Sequence, residues 1–530
     1  MVSPLSTSIS ATSLEIKVSS SITLFLSPNY PIFHLSFNPQ KKAEYCLKYL
    51  GGKKVKNFEQ YEEYDALGLA EILRKGEVTP TEVLEAAIDR SEKLNPGLNA
   101  IILDLHKMAH KTISKGLPEG ILSGVPYLIK DLGATLAGTP TTGGSRFMKD
   151  VIPDQDSETV KRLIDAGFVI FGKSNTCEFG MSITCEPQLY GPTKNPWDES
   201  VTPGGSSGGA AAAVASRIVP AAHASDGFGS IRVPASCCGL VGLKPTRGRN
   251  SFSPFLGERI GGTVAEHAVS RTVRDQAVVL DITGSFPALG DPYYAPPPCR
   301  PFLEEVSADP GNLKIAYSYG GKTGAKTDID HKTILDQTVT TLIDLGHQLE
   351  EVDPPISNEE SQEIFRDLMA ANAAQIIRSH PGGRLPEVGE VENVVAATAQ
   401  MGEKILGHDI FLRQAQMHAM GRRMAQFHKK YDLLLTPGLG HLPPKLGWID
   451  MMLDNATEYW DRVADFSPFT VWFNQTGQPA ISLPIGQTES GFPVSVQLVS
   501  RFADEATLFR VSAQLEDVYA WHKRKPIIVK

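Results

Sequence analysis

The chain has 530 residues, 41% of them hydrophobic, with 47 glycines and 37 prolines, which suits an α/β enzyme with a large core and many tight loops. A formal net charge of −9 argues against nucleic acid as the main partner, because phosphate binding needs a basic face. No stretch approaches the ~20 unbroken apolar residues of a membrane span, and the six dispersed cysteines (Cys46, Cys177, Cys185, Cys237, Cys238, Cys299) form neither a disulfide framework nor a metal pattern, which points to a reducing compartment.

Residues 1–57 are Ser-rich, hold no Arg and carry almost no charge before Lys41. Ser27, Pro28 and Pro31 interrupt the apolar run Ile22–Leu35, so a secretory signal is not expected, and an Arg-rich transit peptide is not present either. This segment is expected to be a poorly structured extension on a cytoplasmic protein, with organelle targeting left open. Asp65–Arg74 then predicts a short helix stopped by Gly76. Thr79-Pro80-Thr81-Glu82 supplies an N-cap, a proline at the first helical position and a glutamate three residues after the cap. The helix that follows carries Val83, Leu84, Ala87 and Ile88 on one face. Ser157–Ala166 reads as a helix ended by Gly167, and Phe168–Phe171 as a buried strand. Leu313–Tyr317 (strand), Asp330–Leu345 (helix) and His347–Val352 (strand) repeat the rhythm. The stretch 356–430 reads as mainly helical and is expected to cover one end of the sheet. Such alternation predicts an α/β fold, a single large domain over 58–530 with a central mixed β-sheet covered by helices.

Three segments carry candidate chemistry. Gly124–Asp131 is an apolar, strand-like run ending on Lys130. Full burial lowers a lysine pKa by ~3–5 units, and a neutral amine at pH 7 is a base. The ordinary alternative is a lysine that snorkels to water or pairs with Asp131. The second segment, Thr202–Gly209, sets Ser206 and Ser207 among glycines before the Ala-rich helix Ala210–Ser216, where free N–H groups favour developing negative charge. The third, Ser225–Pro234, places Ser230 after a Gly-containing turn and before the apolar pair Ile231 and Val233. The N–H groups of Gly227, Phe228 and Gly229, with that of Ser230, are candidates to converge as an oxyanion hole. Taken singly, the second segment also reads as a flexible Gly/Ser turn and the third as a simple bend. Cys237-Cys238 reads as two small buried residues rather than a redox pair.

Together, Gly204–Pro234 and its continuation Cys238-Gly239-Leu240-Val241-Gly242-Leu243-Lys244-Pro245-Thr246 closely resemble the amidase-signature family. The resemblance runs from about Tyr64 to Leu515, with its signature core at about 120–250. It includes Gly172-Lys173-Ser174-Asn175, Asn474–Ala480 and Gly491–Val499. It implies that Ser230 is the nucleophile, Ser206 a bridging serine on a cis peptide after Gly205, and Lys130 the base. No metal or organic cofactor is implied. The expected substrate is a small or medium amide, linear or cyclic, and homodimerisation is left open. The chain departs from the family in having Phe228-Gly229 where two glycines often stand, so the Phe228 ring is expected to shape the acyl pocket. His223 replaces a usually small or aliphatic residue and has no assigned role. Within the family, Ala222–Asp226 and Asp291–Pro298 look most like the bacterial-type amidases around the nylon-oligomer cyclic-dimer hydrolases. Phe365, Met369 and Phe411 are available to line an apolar pocket, on spacing that fits ordinary helix packing equally well.

Gly204–Gly208 also satisfies Gly-x-Ser-x-Gly, but that elbow must follow a buried strand, and Asn195–Ser200 is a polar turn. Two further alternatives are the amidotransferase A-type subunit of a tRNA-dependent glutamine amidotransferase and a non-enzymatic scaffold of the same fold. Retention of Lys130, Ser206 and Ser230 speaks against the scaffold.

Overall fold

Asp65 accepts the Gly68 N–H and opens helix α1 (Ala66–Lys75), which Gly76 closes in the left-handed conformation at φ 70°. A capping box between Thr79 and Glu82, with Pro80 in the first turn, opens α2 (Pro80–Leu98). Both starts fall where the sequence puts them. The computed structural model describes residues 58–526 and 528, together with Ile16–Lys17 and Thr23–Leu24, two short strands paired antiparallel. The expectation for residues 1–57 otherwise lies outside the described residues. Asn57–Lys530 forms one compact unit.

The centre of that unit is an eleven-stranded sheet among the described residues. Its strands are β1 (Ile101–Asp104), β2 (Pro126–Lys130), β3 (Val169–Ser174), β4 (Ala221–Asp226), β5 (Val241–Lys244), β6 (Ala265–Ser270), β7 (Lys314–Tyr317), β8 (Gln348–Glu351), β9 (Leu433–Pro437), β10 (Ala480–Gln487) and β11 (Pro493–Ser500). The spatial order is β8-β7-β9-β11-β10-β5-β6-β4-β2-β3-β1. The pairs β2–β3, β2–β4, β7–β8 and β7–β9 are parallel; β4–β6, β5–β6, β5–β10, β10–β11, β9–β11 and β1–β3 are antiparallel. The sheet is therefore mixed, as predicted. Period-two alternation sends neighbouring side chains to opposite faces. Ala316, Leu434 and Val499 join one apolar cluster, while Ile315, Leu433, Leu435 and Leu498 join the other.

Helices cover both faces. They include α3 (Glu158–Asp165) between β2 and β3, α4 (Gly208–Ala215) and α5 (Arg232–Cys238), which follow Ser206 and Ser230, and α6 (Ile329–Asp344) between β7 and β8. The stretch 356–430 forms α7 (Asn358–Arg378), α8 (Asn393–Gly402) and α9 (Gly407–Phe427). Its main packing is not on strands. It rests on α10 (Ala456–Phe466), on α11 (Val471–Thr476) and on the turn Ile260–Gly262. The apolar pair Ile231 and Val233 belongs to no extended run: it opens α5. Among the described residues no helix is long and apolar enough to cross a membrane.

Candidate active site

Every residue of β2 is buried, and its last one is Lys130, with 0% of its surface exposed. The Lys130 Nζ donates to Ser206 Oγ at 2.6 Å and to Ser225 Oγ at 3.1 Å. Burial without a facing carboxylate pushes its pKa down to about 8. The alternative pairing with Asp131 is not made. Asp131 instead faces Lys173 at 3.9 Å and accepts from Thr142, because successive residues of a strand point to opposite sides.

Ser206 follows a cis Gly205–Ser206 peptide. Glycine is needed at 205: a Cβ there would sit 1.9 Å from the Thr184 carbonyl oxygen. The chain then enters α4, tied to the end of β4 by Ser207, whose Oγ accepts the Ser225 N–H and donates to the Ser225 carbonyl, both at 3.3 Å. β4 thus delivers Ser225 to Lys130 and continues into the turn that carries Ser230. Ser206 and Ser230 are each 2% exposed. No hydrogen bond joins them among the described residues, and the Ser230 hydroxyl has no partner there.

A buried ionic clamp sets the turn 227–230. Asp226 accepts from Arg232 Nε (2.9 Å) and Nη2 (3.0 Å), from Asn474 Nδ2 (2.9 Å) and from the Gly229 N–H (2.7 Å). Burial alone would raise this carboxyl, but the Arg232 guanidinium and the bond from Asn474 bring it to about 2. Arg232 also donates to Thr470 O (2.8 Å), Gln497 Oε1 (2.7 Å) and Asn474 Oδ1 (2.6 Å). Thr470 in turn donates from Oγ1 to the Phe228 carbonyl at 2.7 Å. At Gly229, φ is +138° and a Cβ would lie 2.5 Å from Thr470 Oγ1, so only glycine fits.

The clamp changes the expected oxyanion donors. The Gly229 N–H is already committed to the Asp226 carboxylate, which removes it from the set of three. The N–H groups of Gly227 and Phe228, and that of Ser230, have no acceptor among the described residues. Sequence reasoning also missed Asp226, Arg232, Thr470 and Asn474 as parts of the site. One signal was present: a cation between Ile231 and Val233 in a buried run demands a buried anion, and Asp226 is six residues earlier.

The Phe228 ring is buried and packs against Phe365 (centroids 5.0 Å apart) and Trp460 (6.4 Å), which contact each other at 5.2 Å. Phe365 and Met369 are buried in the same cluster. Phe411, a third residue considered for the lining, is 73% exposed on the outer face of α9 and lines nothing. Cys237 and Cys238 are buried and unpaired, as small packing residues. Among the described residues no group of three or more His, Cys, Asp or Glu side chains is arranged to hold a metal ion.

A large mixed sheet whose strand ends bring a buried lysine to a serine on a cis peptide, with a second serine on a glycine turn, is the arrangement that the resemblance to the amidase-signature family implies. Comparison with known proteins agrees. A family profile described as Amidase matches residues 82–509. The 6-aminohexanoate-cyclic-dimer hydrolase of Paenarthrobacter ureafaciens is 35% identical over 481 residues, spanning 87% of this chain and 96% of that protein. A solved structure of 6-aminohexanoate cyclic dimer hydrolase complexed with substrate superimposes with a TM-score of 0.83 at 32% identity, covering 88% of this chain and 100% of that one. A bacterial aryl acylamidase of the amidase-signature enzymes gives 0.78 at 25% identity, with 86% and 96% covered. The chain belongs to the amidase family, and it is similar in sequence and fold to the cyclic-dimer hydrolases, as expected from its sequence.

Proposed function

We propose that this protein hydrolyses small or medium non-peptide amides through an acyl-enzyme on Ser230, with Ser206 as the proton bridge and Lys130 as the base. The observation that carries the reading is the 2.6 Å contact between Lys130 Nζ and Ser206 Oγ in a site where burial lowers the amine to about 8. A serine hydroxyl attacks only when a base takes its proton. Neutral Lys130 takes the proton of Ser206, and Ser206 takes that of Ser230. The Ser230 oxygen bonds to the amide carbon, and the carbonyl electron pair moves to its oxygen, held by the N–H groups of Gly227 and Phe228. Collapse of this intermediate breaks the carbon–nitrogen bond, and the relayed proton leaves with the amine. Water then attacks the ester by the same route and releases the carboxylic acid. The relay supplies both nucleophile and base, so no step calls for a metal or an organic cofactor.

The aromatic wall of Phe228, Phe365 and Trp460 supports an apolar acyl group, aliphatic or aryl. Relatives named for a cyclic amide dimer and for aryl acylamides agree with that choice. A panel of aliphatic, aryl and cyclic amides, assayed for ammonia, amine and carboxylate, tests the reading. The expected result is turnover of uncharged small amides with amine and acid released in equal amounts, unchanged by EDTA. Turnover confined to charged peptides, or lost to EDTA and restored by metal, would overturn it.

A further inference from the structure

Where β2 parts from β4, a side chain takes over a backbone bond. The Asp131 N–H donates to Ser174 O on β3 at 3.2 Å, so alternation along the strand turns the Lys130 N–H toward β4. The two strands pair only at Leu128 and Ala222. Among the described residues the β2–β4 register does not continue to Lys130. The imidazole of His223 stands there instead, with Nδ1 3.4 Å from the Lys130 nitrogen, a long bond between two fully buried groups. A ring nitrogen that accepts carries no proton, so the proton of the neutral ring is on Nε2.

Nε2 faces Glu266 Oε2 at 3.7 Å, beyond hydrogen-bond length, and has no other partner among the described residues. Glu266 lies opposite Ser225 in the β4–β6 register, and His223 is two residues from Ser225, so all three share one face of the sheet beneath Lys130. Burial alone would raise the Glu266 carboxyl, but the His223 ring and the Arg259 guanidinium, 3.9 Å away, hold it below its ordinary range. An anion at this place selects the tautomer with its proton on Nε2 and leaves Nδ1 free to accept.

We propose that His223, fixed in its Nε2–H tautomer by Glu266, is a positioning residue for Lys130. It accepts the backbone N–H of that residue and so anchors the root of the side chain that reaches Ser206 and Ser225. This rests on the reading of Lys130 as the base. Misplacing a reacting group by about 1 Å can cost roughly 10²-fold in rate. Two substitutions separate anchoring from simple space filling. His223→Asn keeps an acceptor near the position of Nδ1, whereas His223→Leu fills the volume and offers none.

The expected result is that His223→Asn keeps kcat within about threefold, while His223→Leu loses about 10- to 100-fold in kcat with KM little changed. Equal activity in the two, or a better His223→Leu enzyme, would overturn the proposal. Should neither variant fold, neutron diffraction of the wild-type enzyme reads the ring directly. It should find a deuteron on Nε2 and none on Nδ1; a deuteron on Nδ1 would overturn the proposal. That readout needs no turnover, so it fails or succeeds apart from the base reading, which falls separately if Lys130→Arg stays active.

Discussion

Lys130 and Arg232 are two buried basic side chains near the same turn, and the fold treats them in opposite ways. Arg232 meets a carboxylate, two side-chain amides and a backbone carbonyl, every bond at 3.0 Å or less. Lys130 meets only two hydroxyls. Compensated burial makes the first region a rigid frame for the turn. Burial with only hydroxyls for partners pushes the pKa of Lys130 in the second down to about 8, because removing water disfavours the ammonium form, and the proposed mechanism uses it as the base. Lys173 supports the comparison from the neighbouring strand. Burial lowers it to about 8 as well, yet it faces Asp131 and is held by Pro140 O and Thr141 Oγ1. Its partners are taken, while those of Lys130 are the hydroxyls of a candidate relay.

The largest effects should come from the uncompensated region. Ser230→Ala should lower kcat by roughly 10⁶-fold with the fold intact, read by circular dichroism beside the amide assay. Lys130→Arg should fall as far, since a guanidinium does not lose its proton at these pH values. In the wild type, kcat/KM should rise with pH as one proton leaves Lys130, through an apparent pKa of about 8. A rate that falls through that value would mean that the cation is the active form. Ser206→Ala should be milder, roughly 10⁴-fold, because the nucleophile and the oxyanion donors remain.

The compensated region should answer in stability. Asp226→Asn leaves Arg232 buried without its anion and should cost about 3–5 kcal/mol in chemical denaturation, with activity lost as the turn loosens. A variant as stable as wild type would show that Asn474 and Gln497 suffice to hold the guanidinium. The smallest effect belongs to the aromatic wall. Phe228→Gly should change the ranking of acyl groups several-fold while turnover of the smallest amides survives. An unchanged ranking would remove Phe228 from the acyl pocket.

Much of the catalytic core was legible because local rules place it. Caps at Asp65 and Thr79 set the first helices, and glycines at 205 and 229 mark places where backbone and side chain leave no room for a Cβ. The resemblance then singled out Lys130, Ser206 and Ser230 from a strand end and two turns that look ordinary alone. What stayed hidden depends on partners far along the chain. Thr470, Asn474 and Gln497 reach Arg232 from more than 200 residues away, and the engaged Gly229 N–H follows from that clamp. Helical periodicity found α7–α9 but did not tell Phe365, packed on Phe228, from Phe411 in solvent, because which face turns inward is set by α10 and α11.

The central claim is that the Ser230 oxygen forms the acyl bond. Treating the wild-type enzyme with a fluorophosphonate and mapping the adduct by peptide mass spectrometry tests it most directly. The account predicts one adduct, on Ser230, and a sharply slower reaction in Lys130→Arg. An adduct on Ser206 with Ser230 unmodified would contradict it.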